Sequence, residues 1–377
     1  MPEQGAKRKN IFLRAFSLCP ARHVLALASL ALTLAYFALR GNFALMTWLS
    51  THVARPWHRF CAGALNALPF SMAGVLIAAA VLGFLAYLSF CLVTAVRHGG
   101  WGVQVYRLLL TAVTLVLAVY ALFCLLWGVY YYTSDFESQS GIYAQPLSTE
   151  QLESVTRYFA GLVNEYGEQV RRDENGLFDE ELDTIFDASP HLYDEVQSLV
   201  PCLSGGALRA KPFMFSKAMS YLNFTGFFFP FTGEANINVD SPKCMVPSTV
   251  AHELAHQRGV AAEDEANFAA VLACLENGDP VYCYSASLLA YIHLGNALYR
   301  SDRDAWSEVY ATLSENVKSD LSDNNRYWEK YETPVSTVSD TVYTGFLQSY
   351  GQTLGLKSYG ACVDLLVAYY YDISVMG

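Results

Sequence analysis

Acidic residues are almost missing from the first third of this 377-residue chain: of its 35 Asp and Glu residues, only Glu3 precedes Ser134. Three stretches there lack charged side chains altogether, Val24 to Leu39, Leu68 to Val96 and Leu108 to Ser134. Crossing a hydrocarbon core takes about 20 apolar residues, with about 17 to 25 tolerated. Each stretch is therefore read as a transmembrane helix, which excludes a wholly soluble protein and makes the lipid bilayer a partner. Basic residues are correspondingly few after Ser134, where 34 acids face 14 Lys and Arg. A domain of formal charge about -20 offers no footprint for a phosphate backbone, so nucleic acid is excluded as a partner. The division gives a membrane region over residues 1–134 and a second domain over residues 135–377.

Strand signals are also scarce. The best are Phe227 to Phe229 and the Ala235 to Val239 alternation, each bounded by turn residues. Helical signals dominate: Ser148 and Gln151 form a capping box, followed by Leu152, Val155, Phe159, Leu162, Tyr166 and Val170 at helical spacing. The expected fold class is mainly α with a small β edge, an α+β domain preceded by three transmembrane helices. The nine cysteines contain no CxxC pair, so neither a thiolate zinc site nor a thioredoxin-like motif is visible. Cys202, Cys244, Cys274, Cys283 and Cys362 could form one or two disulfides in an oxidising compartment, or serve as small buried hydrophobes.

The first apolar run is followed by Arg40 rather than a small-residue cleavage pattern, so it is expected to remain as an anchor. Arg22 and Arg40 bracket that run, and Tyr130, Tyr131 and Tyr132 close the third like an aromatic belt. Lys7, Arg8, Lys9, Arg14 and Arg22 crowd the start, while the second connection holds only Arg97 and Arg107. This bias predicts an integral membrane protein with a cytoplasmic N-terminus and the second domain on the outer face. Between the first two spans, Trp48, Trp57, Arg55 and Arg59 suit a short helix in the headgroup region, with an ordinary loop as the alternative.

The chemistry is carried by His252-Glu253-Leu254-Ala255-His256. On a helix, residues four apart share a face, so both imidazoles can address one metal with Glu253 beside them. Zinc so held lowers the pKa of its water, and Glu253 is placed to take that water's proton and return it to a leaving amine. Pro247 and Ser248 supply a helix start and Gly259 a stop. The third ligand is expected from Glu263-Asp264-Glu265, just after the turn, although acids also suit the first turn of a new helix for dipole reasons alone. Glu263 and Asn267 share a helical face, whereas Glu265 points about 200° away. Glu263 is therefore preferred, with Asn267 hydrogen-bonding a ligand and Glu265 as the alternative if the helix begins two residues later.

The motif followed by E-x-E-A-N-F-A-A resembles the zinc site of gluzincin-type peptidases, both the CAAX prenyl and HtpX-like membrane group and the ImmA/IrrE-like group. In those groups the third ligand lies tens of residues beyond the second His, whereas Glu263 follows His256 by seven. A strict metzincin is excluded, because its third-ligand position is here Ala262. Over nearly the full chain the sequence resembles a bacterial membrane-anchored family of unknown function. The shared blocks are Pro230 to Asn236, His252 to Gly259 and Glu263 to Phe268, with a typical tail from Ser358-Tyr359-Gly360 into Val363 to Leu366. The resemblance implies a peptidase-like site.

The strand before the active helix in zincin folds edges the cleft and pairs with an extended substrate, and Gly233 to Val239 stands in that position. Its polar residues serve equally as an edge-strand defence. A transition-state stabiliser is not assignable among His293, Tyr343 and Tyr350, each also a packing candidate. The expected function is a membrane-anchored, gluzincin-like zinc metallopeptidase acting on a protein or peptide near the membrane. The alternatives are a membrane sensor that uses the same site for one regulatory cleavage, or a non-catalytic zinc-binding protein, which would have no use for Glu253.

Overall fold

A computed structural model describes residues 15–145, 147–351 and 359–376. The basic residues Lys7, Arg8, Lys9 and Arg14 and the tail residue Ser358 lie outside that range. The chain forms two compact units: one from the residues up to Ala54 plus Val75–Thr133, the other from Arg55–Gly74 plus the residues from Ser134 on. The sequence division at Ser134 did not anticipate that Arg55–Gly74 folds with the second unit.

The helices that matter below are, in chain order, α1 (Pro20–Leu39), α2 (Phe43–Leu49), α3 (Arg55–Leu65), α4 (Met72–His98), α5 (Trp101–Leu126), α6 (Thr149–Gly167), α7 (Val246–Gln257), α8 (Glu263–Asn277), α9 (Pro280–Ser301), α10 (Arg303–Ala311), α11 (Glu315–Glu329), α12 (Pro334–Ser349) and α13 (Tyr359–Met376). Three of them, α1, α4 and α5, are long and apolar enough to cross a membrane, which associates the chain with a lipid bilayer. The second span begins at Met72 rather than Leu68 because Pro69 cannot continue a helix built from Leu68. Gly99 and Gly100, both at positive φ, make the tight turn into α5. The third span ends at Leu126, and Tyr130 to Tyr132 follow in a 3₁₀ turn instead of inside the helix. Within this unit α1 packs along α5. Tyr36 donates to the carbonyl of Gly128 at 2.9 Å, and the Arg40 guanidinium lies over the rings of Phe37 and Tyr132. The connection after α1 is helical, α2 and α3 joined through a π turn at Ser50–Ala54, rather than an open loop.

In the second unit Ser148 and Gln151 form the expected capping box at the start of α6. This helix buries Leu152, Val155, Phe159 and Val163 against α9 and α13, and leaves Leu162 and Tyr166 half-buried. A buried ion pair ties the far side. Asp320 of α11 accepts from Arg172 Nη1 at 3.0 Å, from the Phe178 N–H at 2.9 Å and from the Tyr284 hydroxyl. All nine cysteines are free thiols, and Cys244, Cys274, Cys283 and Cys362 are buried, so the packing alternative describes these four and no disulfide forms.

The sheet has three strands, β1 (Lys211–Pro212), β2 (Gly226–Phe229) and β3 (Glu234–Ile237), in the order β1-β3-β2. β3 runs parallel to β1 and antiparallel to β2, with Asn236 opposite Phe227 and Glu234 opposite Phe229. The Gly233 to Val239 segment is therefore the central strand and not the expected edge. Its polar side chains misled because their partners come from far upstream. Glu234 accepts the Met72 and Ala73 N–H groups and the Thr232 hydroxyl, with Lys211 Nζ at 3.6 Å. Asn236 Oδ1 accepts the Ser71 hydroxyl. The edge strands are β1 and β2.

His58 of α3 is buried edge-on against the ring of Phe228. Burial, aided by the charge of Arg55 and opposed by a hydrogen bond with the Pro230 backbone, pushes its pKa down from 6.5 to about 3. The unfolded chain then takes up this proton first as pH falls, so the contribution is complete above the unfolded value and is lost below it. At about 1.4 kcal/mol per pH unit, lowering the pH from 6.5 to 4.5 should cost up to about 3 kcal/mol through this residue. Thermal unfolding of detergent-solubilised full-length protein should show an acid-side decline that is shallower in His58→Gln; equal slopes would remove His58 from the account.

Candidate metal centre

The site is built on two helices and the turn between them. Pro247 occupies the first turn of α7, where its missing N–H costs nothing, and the helix ends at Gln257. Gly259 then adopts φ +95°, a left-handed conformation that side chains disfavour, and its N–H bonds the carbonyl of His256. The chain reverses, Ala262 is extended, and α8 opens at Glu263 with Asp264 and Glu265 in its first turn.

This reversal places Glu263 Oε2 3.2 Å from His252 Nε2 and 3.6 Å from His256 Nε2. One donor-type atom from each of the three residues lies within 4.8 Å of the others, so the group could hold a metal ion. The other nitrogen of each imidazole is engaged: His252 Nδ1 contacts Asn267 Oδ1 at 2.8 Å, and His256 Nδ1 the carbonyl of Val260 at 2.7 Å. With Nδ1 of each ring engaged by these oxygens, both Nε2 atoms are turned towards Glu263, and they are the atoms that would face a metal ion. Glu263 Oε1 accepts from the Tyr343 hydroxyl at 2.6 Å. Glu265 turns elsewhere, as the helical offset requires: its Oε1 accepts the Phe136 N–H at 3.0 Å and the Glu137 N–H at 3.4 Å.

Glu253 is 3% exposed beside this group, and its Oε2 has no hydrogen-bond partner among the described residues. Burial raises its pKa to about 7 although His252 and His256 pull the other way. Burial also favours a neutral His256, but the Glu263 charge and hydrogen bond outweigh it and raise the imidazole to about 9. The same contacts, against desolvation, hold the Glu263 carboxyl well below its usual range. Desolvation lifts Glu265 to about 7.

Of the three stabiliser candidates, Tyr343 contacts the group, from α12, through Glu263. Tyr350 is buried against Phe346, and His293 is buried on α9, where desolvation lowers its pKa to about 4 with the His252 charge acting in the same direction. No sequence signal singled out Tyr343, which lies 80 residues from Glu263. Nor did any mark Gly226 of β2, where an added Cβ would stand 2.5 Å from Glu253 Oε1. The bare backbone there makes the space that Glu253 occupies.

A family described as a protein of unknown function, DUF3810, matches residues 50–367, and the chain belongs to that family. No curated protein and no solved structure matches the chain.

Because Glu253 is enclosed, a methyl group at position 226 must displace its carboxylate or the strand. Gly226→Ala is expected to destabilise the full-length protein by about 1–3 kcal/mol, the usual range for overpacking. A melting temperature equal to wild type would show that Glu253 yields freely and is not held by β2.

Proposed function

We propose that this DUF3810 member is a membrane-anchored zinc metallopeptidase in which His252, His256 and Glu263 hold the metal and Glu253 is the general base. The observation that carries the reading is the conjunction of three donor-type atoms within 4.8 Å of one another with a buried neighbouring carboxylate whose Oε2 is unpartnered among the described residues. The donor set fits zinc: two imidazole nitrogens and a carboxylate oxygen leave one position open, the pattern of catalytic rather than structural sites. Each imidazole is fixed through its other nitrogen, as metal-binding histidines usually are.

When bound, zinc supplies a Lewis acid and brings the pKa of a water at the site towards neutrality. Glu253 Oε2 takes the proton of the attacking water and delivers it to the leaving amine. Tyr343 occupies the second oxygen of Glu263 and so keeps Oε2 turned to the two histidines. Asn267 and Val260 hold both imidazoles in one tautomer. β2, the strand that lies against Glu253, has its outer edge available for pairing with an extended peptide, since the strand order leaves it at the end of the sheet. The substrate class is a protein or peptide near the bilayer.

Three crossings also put the connection after α1 and everything after α5 on one side of the membrane. Packing of Arg55–Gly74 with the residues from Ser134 on supports that reading. With the N-terminus cytoplasmic, as the Lys and Arg distribution favours, that side is the outer face.

Purified full-length protein should carry about one zinc per chain. His252→Ala and Glu263→Gln should empty the site, while Glu265→Gln and Glu253→Gln should stay loaded. Glu253→Gln should slow hydrolysis by roughly 10²–10⁴-fold, read as fragments missing from membrane and secreted fractions of cells carrying the variant. Undiminished cleavage by Glu253→Gln would remove the general base, and a loaded Glu263→Gln protein the third ligand. Protease added to intact, wall-stripped cells should digest the second unit; protection until the membrane is opened would invert the orientation.

A further inference from the structure

Three arginines converge on a cleft of the second unit that the peptidase reading does not use. Arg55 and Arg59 stand one turn apart on α3 and Arg258 follows α7, with His58, Ser204, Gly205, Gly206, Leu208 and Gln257 completing the lining. Arg258 is two residues beyond His256, a helical offset of about 200°. Its guanidinium lies over the ring of Tyr193 at 4.0 Å, on a face other than that of the donor group.

The positive charge of the cleft is poorly answered. Among the described residues no carboxylate pairs with any of the three arginines. Asp194, which lies within electrostatic reach of Arg258, has its Oδ2 2.8 Å from His191 Nδ1. Among the described residues Arg55 and Arg59 donate to the backbone carbonyls of Arg258 and Ser204, each at 3.5 Å. Arg258 is 6% exposed; its Nη1 caps the carbonyl of Leu254 at 3.1 Å, but its Nε has no partner among the described residues. A buried donor left so is costly unless something occupies the cleft. Gly205 keeps the space open, because an added Cβ would stand 3.0 Å from that Nε. The cleft is partly open, and its free volume is about 10 Å³, room for about one oxygen-sized atom.

We propose that this cleft binds a phosphate oxyanion, one oxygen entering towards Arg258 Nε while Arg55 and Arg59 hold the group at the mouth. Guanidinium forks match phosphate geometry and are weakly hydrated, which suits both positions. The source favoured by the fold is an anionic phospholipid headgroup. α3 is strung between two helices that are long and apolar enough to cross a membrane, and it exposes Trp57 and Phe60 beside Arg55 and Arg59, the residue mixture of an interfacial helix. Free phosphate would present the same oxygens. The proposal is independent of zinc and of hydrolysis.

The test is thermal unfolding of the full-length protein in detergent, titrated separately with phosphatidylglycerol, phosphatidylcholine and inorganic phosphate. Phosphatidylglycerol should raise the melting temperature saturably and more than phosphatidylcholine. Arg258→Gln risks misfolding, so the discriminating variants are the double Arg55→Gln/Arg59→Gln and the charge-neutral Gly205→Ala. Each should melt like wild type without lipid and need at least about ten-fold more phosphatidylglycerol for half-saturation, the loss of about one charge-assisted hydrogen bond. A response to inorganic phosphate alone, lost in both variants, would support phosphate recognition and assign it to a soluble source. Equal lipid responses in wild type and both variants, or no response to any probe, would overturn the proposal.

Discussion

Glu263 Oε2 has to stand within reach of two imidazoles that project from a different helix, and much of the second unit is arranged around that requirement. The distances of 3.2 and 3.6 Å are reached only because α7 stops at Gln257 and Gly259 turns the chain at φ +95°. The turn also presents the carbonyl of Val260 to His256 Nδ1, so one backbone feature sets the carboxylate and the tautomer of the second imidazole together. α8 then offers Asn267 one turn after Glu263, at the height of His252. A cluster of one charged carboxylate and two imidazoles is coupled through its charges, which is why His256 rises and Glu263 falls despite their common desolvation.

A second set of buried polar groups acts on position rather than on chemistry. Glu234 and Asn236 sit in the middle strand, where unpaired carboxylate and amide groups would be destabilising, and they are answered by Lys211, Thr232 and the Ser71–Ala73 segment. The carboxylate of Glu234 meets the first N–H groups of α4, which have no partner within the helix, so it is favoured by the helix dipole as well as by Lys211. This clasp fixes β3, β3 registers β2, and β2 supplies the bare backbone at Gly226 that Glu253 lies against. Polar residues that read as a solvated edge are thus the means by which the sheet is anchored.

How much was legible in the sequence follows from the range of each interaction. The fold class, the capping box at Ser148, the start of α7 at its Pro, the turn at Gly259 and the beginning of α8 at Glu263 are local, and the sequence carried them within a few residues. The separation of Glu263 from Glu265 was equally accessible, because it depends only on helical periodicity and on where the helix begins. What escaped depends on contacts between distant segments. The pairing of β3 on both sides, the membership of Arg55–Gly74 in the second unit and the hydroxyl of Tyr343 on Glu263 have no periodic signature. The transmembrane boundaries moved for a local reason, since apolar composition ran past Pro69 and past Leu126 while helical geometry did not.

The shared membership of Arg55–Gly74 and the residues after Ser134 constrains how such a chain is assembled. Residues before α4 and after α5 must meet, although the two apolar helices lie between them in sequence, so the clasp of Glu234 on Met72 and Ala73 closes only once α5 has emerged. Long-range closure of this kind carries a loop-entropy cost that grows only slowly with length. α4 and α5, both long and apolar enough to cross a membrane, lie within that loop and are joined by the two left-handed glycines Gly99 and Gly100. The catalytic geometry proposed for Glu253 depends on that closure, because the clasp on Glu234 fixes β3, β3 registers β2, and Gly226 of β2 lies against Glu253.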